Sequence, residues 1–200
     1  MTYWIQDVEL IGEHIALVPL SVAHESEISD AITDGELWKL WFTQTPEPGK
    51  VDSYIESALI AKKNTGEMPF VIKNIKTDQL IGSTRFCNVD NQSKRLEIGY
   101  TWYRKSAQRT VANTEAKYLL LTHAFEQLNS IAVEFRTHWF NHKSREAILR
   151  LGAKQDGVLR NHKRMPDGSL RDTIVFSIID SEWKSVKRHL EYKLNRPGKI

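Results

Sequence analysis

Between Leu96 and Trp139 the apolar residues change their period twice, and that double change limits the chain to few architectures. "LEIGYTWY", Leu96 to Tyr103, alternates as a strand does. From about Asn113 to Asn129 the spacing becomes helical: Ala116, Leu120, Ala124 and Leu128, with Leu121 and Phe125, form one apolar stripe. "IAVEFRTHW" returns to the β-branched and aromatic residues of a strand. A strand, a crossover helix and a second strand in one sheet close right-handed, which lays the two strands parallel. Ligands in such sheets collect off the carboxyl ends of the strands. The short turn "QRTVAN", which opens the helix, is therefore the first place to look for one.

The other segments are expected to complete a sheet around this unit. "ELIGEHIALVPL" predicts a strand from about Glu9 to Pro19. "HESEISDAITDGELWKLWF" predicts a helical region broken by Gly35, and a second helix should stop at Gly66. Phe70 to Ile75 and Leu80 to Val89 form a hairpin about "KTDQ". "NHKSREAILRLG" is a short helix with Asn141 as N-cap and Gly152 as stop. "GVLRNHKR" and "LRDTIVFSII" pair about the Asp-Gly of "MPDGS". A last helix carries Trp183, Val186 and Leu190 on one face. The expectation is one α+β domain over residues 1–200, with a mixed central sheet of about seven strands and flanking helices.

Charge and cysteine content narrow the function. The net charge of +3 is too small and diffuse to argue for nucleic acid. A local excess in "KSAQR" and near the C-terminus suits a phosphate-bearing small molecule as well as a polynucleotide, or, for the tail, is a run of ordinary solvated lysines. No apolar run has the length of a membrane span, and the first residues lack the pattern of a signal peptide, so no membrane partner and a cytoplasmic location are expected. A single cysteine, Cys87, excludes an internal disulfide and Cys-rich zinc sites, and the histidines show no metal-ligand spacing, so no metal is expected. On a strand, Cys87 is most simply a small buried hydrophobe.

Taken in order, "EIGYTWYRKSAQRTVANTEAKYLLLTHAFE" and "RTHWFNHKSREAILRLGAKQDGVLRNH" resemble the GCN5-related N-acetyltransferases (GNAT), most narrowly the RimJ/RimL-like branch that acetylates ribosomal-protein N-termini. The resemblance runs from "ELIGEHIALVPL" to "RDTIVFSIID". It implies the GNAT fold, whose two parallel strands splay, and acetyl-CoA as co-substrate. The diphosphate of acetyl-CoA would take backbone N–H donors from Gln108, Arg109, Thr110, Val111, Ala112 and Asn113, with Arg104, Lys105 and Arg109 as nearby cations. Val111 stands where the family has a glycine, and Asn113 at its last small position. A β-branched valine resists close approach and positive φ. The alternative is a plain helix start capped by Thr110 or Asn113.

The resemblance also gives the main chain of Tyr100, Thr101, Trp102 and Tyr103 to the pantetheine arm, with an N–H there as oxyanion donor. Tyr100 and Trp102 should share a face and pack. Asn141 would lie beside the arm, or serve only as a cap. Ser144 would protonate the leaving thiolate, or be a surface serine. The tyrosine that many members place seven residues after the asparagine is replaced by Ile148.

For the general base the best candidate is Glu97, on the face expected to carry Gly99, Thr101 and Tyr103, unless it is spent on an ion pair with an arginine such as Arg85. His138 is a second candidate. His123 is expected to be a surface or satisfied core residue. Trp38, Trp41 and Phe42 are core or acceptor pocket. Arg160, His162 and Arg171 would face an acidic acceptor or a second subunit.

The reaction implied is direct acetyl transfer to a primary amine, on a peptide or protein N-terminus or a small molecule, by a monomer or homodimer. The alternative is a non-catalytic module that binds acyl-CoA.

Overall fold

A computed structural model describes residues 3–43 and 45–195. The elements are β1 (Leu10–Ile11), β2 (Ile15–Pro19), α1 (Glu25–Thr33), α2 (Val51–Thr65), β3 (Met68–Asn74), β4 (Leu80–Asp90), β5 (Arg95–Tyr103), α3 (Ala112–Thr122), β6 (Ala132–His138), α4 (His142–Arg150), β7 (Lys154–Arg164), β8 (Leu170–Ile179) and α5 (Asp180–Leu194). Among the described residues they build one eight-stranded sheet in the order β1-β2-β3-β4-β5-β6-β8-β7. β5 and β6 are parallel, as the crossover requires, and every other pairing is antiparallel. The structure is the mixed α+β sheet of the GNAT expectation, with one strand more than anticipated. Among the described residues no helix is long and apolar enough to cross a membrane.

The extra strand comes from the first segment. Glu9 to Pro19 is not one strand but two, folded back at Gly12 with Leu10 opposite Leu17. The carboxylate of Glu115 on α3 makes the fold-back, accepting from the N–H groups of Glu13 (2.6 Å), His14 (3.0 Å) and Ile15 (3.1 Å). A Cβ on residue 12 would lie 2.6 Å from Glu115 Oε1, so a larger residue there must displace the carboxylate. A carboxylate a hundred residues away cannot be read from the local pattern.

Two apolar layers flank the sheet. On one side Ile98, Tyr103, Phe135 and Phe176 pack under Leu120, Leu121, Trp183 and Leu190 of α3 and α5. On the other, Val71, Leu80 and Trp102 pack under Ile28, Ile32, Ile55 and Ala58 of α1 and α2. α1 and α2 cover only the β2–β4 half, so among the described residues the same face of β6 and β8 has no helix over it. The predicted stripe of α3 is buried at Ala116, Leu120, Leu121, Ala124 and Phe125. Its last turn widens to a π-turn over His123–Gln127, where Leu128 N–H reaches His123 O at 3.0 Å. Gly66 ends α2 in the left-handed region (φ 72), as a C-terminal stop should.

Candidate active site

β5 and β6 pair only at Arg95–Ala132, Leu96–Val133 and Glu97–Glu134. Beyond Glu97 they part, while β6 stays paired with β8 as far as His138. The edge of β5 from Ile98 onward thus loses its partner strand, and backbone donors and acceptors left so need another one. A bulge sharpens the parting. Arg85 faces Gly99 and Ser83 faces Trp102, so Tyr100 and Thr101 together oppose Thr84. Tyr100 takes φ 53 to accommodate the extra residue.

The bulge corrects one expectation about faces. Cross-strand partners share a face, so Glu97, Gly99 and Trp102 lie on one side and Ile98, Thr101 and Tyr103 on the other. Thr101 instead meets Thr84, Oγ1 to Oγ1 at 2.8 Å. Tyr100 and Trp102 do share a side, as expected, but not a packing environment: Trp102 enters the α1/α2 core, and exposed Tyr100 lies under the guanidinium of Arg85, the partner of Gly99, 4.2 Å from its ring centre.

Glu97 is 7% exposed. Asn88 Nδ2 donates to its Oε2 at 2.5 Å, and Arg136 Nε stands 3.5 Å away. Arg85, the partner expected for it, pairs with Glu67 at 3.1 Å. Burial raises the Glu97 carboxyl above its ordinary value, Asn88 and Arg136 hold it back, and Glu134 adds to the rise. A Cβ on residue 99 would lie 3.0 Å from Glu97 Oε1, so Gly99 leaves the room the carboxylate occupies. Nothing in the local pattern around Glu97 pointed to Asn88 or Arg136, which reach it from neighbouring strands.

At the start of α3, Val111 has φ −62 and ψ −24, ordinary helical values. The left-handed residue of the turn is Arg109, at φ 63. Thr110 Oγ1 accepts from Ala112 N–H at 3.3 Å and donates to Ala107 O at 2.8 Å, while Gln108 Nε2 ties the turn to Tyr103 O at 3.1 Å. The first-turn amides point out of the helix start, where the dipole favours an anion. Lys105 and Arg109 are exposed and form no ion pair among the described residues. Arg104 is not a third cation for the turn: it is buried and paired with Asp34 (3.1 Å) and Asp30 (3.2 Å).

Between α3 and the bulge lies a group the motif reading missed. Lys117 is buried, its Nζ 2.6 Å from Thr101 Oγ1 and 3.4 Å from Thr84 Oγ1, with no carboxylate beside it among the described residues. Desolvation pushes its pKa down to about 7. Its position was a usable signal, since it stands three and four residues before Leu120 and Leu121, on the apolar stripe.

At the end of β6, Asn141 Oδ1 accepts from Ser144 N–H at 3.1 Å, the N-cap of α4. The Ser144 hydroxyl is half-buried and bonds to nothing among the described residues. Ile148 is buried in the core. His138 is buried, and its Nδ1 accepts from Phe140 N–H at 3.1 Å. That bond assigns the proton to Nε2. Burial and then Arg171 lower its pKa, so the ring is a neutral donor with its lone pair already used, and it is removed as a base. Its ring meets Trp41 edge-on at 4.7 Å, with Phe42 and Phe140 around it. Trp41 is 53% exposed there, whereas Trp38 packs on the α1/α2 core, so the predicted aromatic group divides between an exposed cluster on His138 and the core. His123 is half-buried against Phe86, stacked at 6.2 Å. Cys87 is buried, with its thiol pKa pushed well up by desolvation.

The family described as Acetyltransferase (GNAT) domain matches residues 14–154. A candidate ribosomal N-acetyltransferase, YdaF, of Bacillus subtilis (strain 168) is 25% identical over 181 residues, covering 88% of this chain and 97% of that protein. A GCN5-related N-acetyltransferase from Brucella melitensis superposes with TM-score 0.85 at 25% identity, covering 96% of this chain and 87% of that one. A candidate acetyltransferase from T. thermophilus superposes at 0.82 with 32% identity, covering 96% and 99%.

Proposed function

The chain belongs to the GNAT acetyltransferase family, and from that premise we propose that it moves the acetyl group of acetyl-CoA directly to a primary amine, on a protein or peptide N-terminus or a small molecule. The observation that carries this reading is the parting of β5 from β6 immediately after the buried Glu97, with the bulge at Tyr100 just beyond.

Acetyl-CoA, when bound, supplies an activated acetyl thioester. The residues present fit it: an unpaired strand edge for its amide-bearing arm, and a helix start flanked by Lys105 and Arg109 for its diphosphate. Gln108, Arg109, Thr110, Val111, Ala112 and Asn113 form the anion turn in this proposal. The main chain of Tyr100, Thr101 and Trp102 receives the arm, and an N–H at the bulge faces the carbonyl oxygen where negative charge develops. Asn141 borders the arm from the β6 side.

Glu97 takes the proton of the incoming ammonium, directly or through a water, and the freed amine attacks the thioester carbon. The C–N bond forms as the C–S bond breaks, the nitrogen sheds its second proton to water, and Ser144 passes a proton to the departing sulfur and is reprotonated from that water. A base of raised pKa is better matched to this task near neutral pH than an ordinary carboxylate. The cytoplasm, where acetyl-CoA is available, is the compartment this reading implies.

The test is thiol release from acetyl-CoA with a panel of amines and peptides. Acceptor-dependent release, lost in Glu97→Gln, supports the proposal. Acetyl-CoA giving no thermal shift at millimolar concentration would sink it.

A further inference from the structure

We infer that the acceptor carries a carboxylate close to its amine, and that Arg171 is the group that receives it; this rests on the N-acetyltransferase reading above. The sheet face bearing Glu97 continues across β6 and β8 through Glu134, Arg136 and His138 to Thr173 and Arg171. Most cations there are spoken for. Arg136 pairs with Glu134 at 2.8 Å and approaches Glu97, Arg95 pairs with Glu134 at 2.5 Å, and Arg85 with Glu67 at 3.1 Å.

Arg171 is different. Its Nε donates to Thr173 Oγ1 at 3.0 Å, and among the described residues it has no ion pair and no acceptor for the rest of its fork. It is half-buried, and desolvation works against its charge, with Glu97 and Tyr100 as the anionic and phenolic groups it senses. A guanidinium drawn partly out of water without a counter-ion is costly, and a bidentate carboxylate offsets that cost best. Lys163, directly opposite Arg171 in the β7–β8 register, adds a second cation with no ion pair among the described residues.

Base and guanidinium on one face present opposite signs, with the Glu97 charge within reach of Arg171. That arrangement matches an amine and a carboxylate within one small unit. Two sources share this chemistry: the α-carboxylate of a free amino acid, and an acidic side chain next to a peptide N-terminus.

The test measures kcat/KM for four acceptors: a free amino acid, its amide, a short peptide with Asp at its second position, and the same peptide with Asn. The wild-type protein is expected to prefer one or both carboxylate-bearing members over their neutral partners by about 100-fold, mainly through KM. Which pair shows the preference identifies the source. Arg171→Gln should abolish the preference while leaving the rate with the neutral partner within about threefold, and Arg171→Lys should restore part of it. Thermal melting of each variant, with and without acetyl-CoA, establishes that it is folded and retains the cofactor site.

Equal use of acid and amide by the wild type, or equal loss on both in a folded Arg171→Gln, overturns the inference. So does a change in sedimentation mass in that variant with the acceptor preference intact, because Arg171 would then serve a subunit contact. Failure to acetylate either carboxylate-bearing acceptor overturns it whatever the amides do. If acetyl-CoA in addition gives no thermal shift, the parent reading falls as well.

Discussion

Lys117 Nζ lies 2.6 Å from Thr101 Oγ1, so a buried amine on α3 holds the residue that follows the Tyr100 bulge. No carboxylate among the described residues neutralises it, and its pKa falls from the ordinary lysine value of 10.5 to about 7.

That shift predicts a pH dependence of stability. Between about pH 7 and 10.5 the unfolded chain binds a proton at Lys117 that the native protein does not. Stability should therefore rise with pH across this window, by up to about 1.4 kcal/mol per unit from this residue, and be lost again as the pH falls towards 7. Below the native pKa both states are protonated and the slope vanishes. Lys117→Met should remove this slope. Urea unfolding of both proteins at about pH 7, 8 and 9 checks it, and parallel curves would contradict it.

Replacing the proposed base should separate binding from chemistry. Glu97→Gln keeps the shape that Gly99 leaves room for and can still bond to Asn88. Acetyl-CoA affinity should stay within a few-fold while kcat falls about 10²- to 10⁴-fold. Burial raises the Glu97 carboxyl, so the wild-type rate should fall on its acid side above the ordinary glutamate range, and the variant should lack that limb. A rate–pH profile for each protein reads both effects.

The turn before α3 predicts opposite results at two neighbouring positions. Val111 is already helical, so Val111→Gly should leave acetyl-CoA affinity within about threefold and cost about 0.5 kcal/mol or less of stability. Arg109 is the left-handed residue, so Arg109→Gly should relieve about 1 kcal/mol of strain yet weaken acetyl-CoA binding by removing a cation. Thermal melts and acetyl-CoA titrations distinguish them. Tighter binding in Val111→Gly would show that the valine obstructs the anion.

The β1–β2 fold-back predicts a stability coupling. Glu115→Ala removes the acceptor of three backbone bonds and should cost about 3 kcal/mol. Gly12→Ala pushes a methyl into the same carboxylate and should cost about 1–3 kcal/mol. The double variant should lose less than the sum, because both changes act on one contact. Chemical denaturation of the four proteins completes the cycle.

What the sequence made legible follows from range. The crossover, the Asn141 cap, the Gly66 stop and the α5 face all rest on residues a few positions apart, and each stands where expected. The β1–β2 turn did not, because Glu115 makes it from α3. At the site, Glu97 and the parting strands followed from motif order. Its partners did not: Asn88 reaches it from a β4 irregularity and Arg136 from β6. Lys117 was visible as a cation on an apolar stripe, but only the bulge gave it Thr101 to hold. Alternation along β5 misled for the same reason, since one extra residue inverts every side chain after it.

That extra residue makes β5 a strand of two phases. Before Tyr100, Glu97 belongs to the face that α1 and α2 leave open; after it, Thr101 belongs to the α3 side and Trp102 is sealed beneath α1 and α2. Deleting Tyr100 would leave Thr101 and Trp102 on the faces they hold now, whereas flattening the bulge with every residue kept would lift Trp102 out of its core and part Thr101 from Lys117. The bulge is thus as much a determinant of the site as any side chain on it, because it is what lets a strand with one residue too many keep both of its faces.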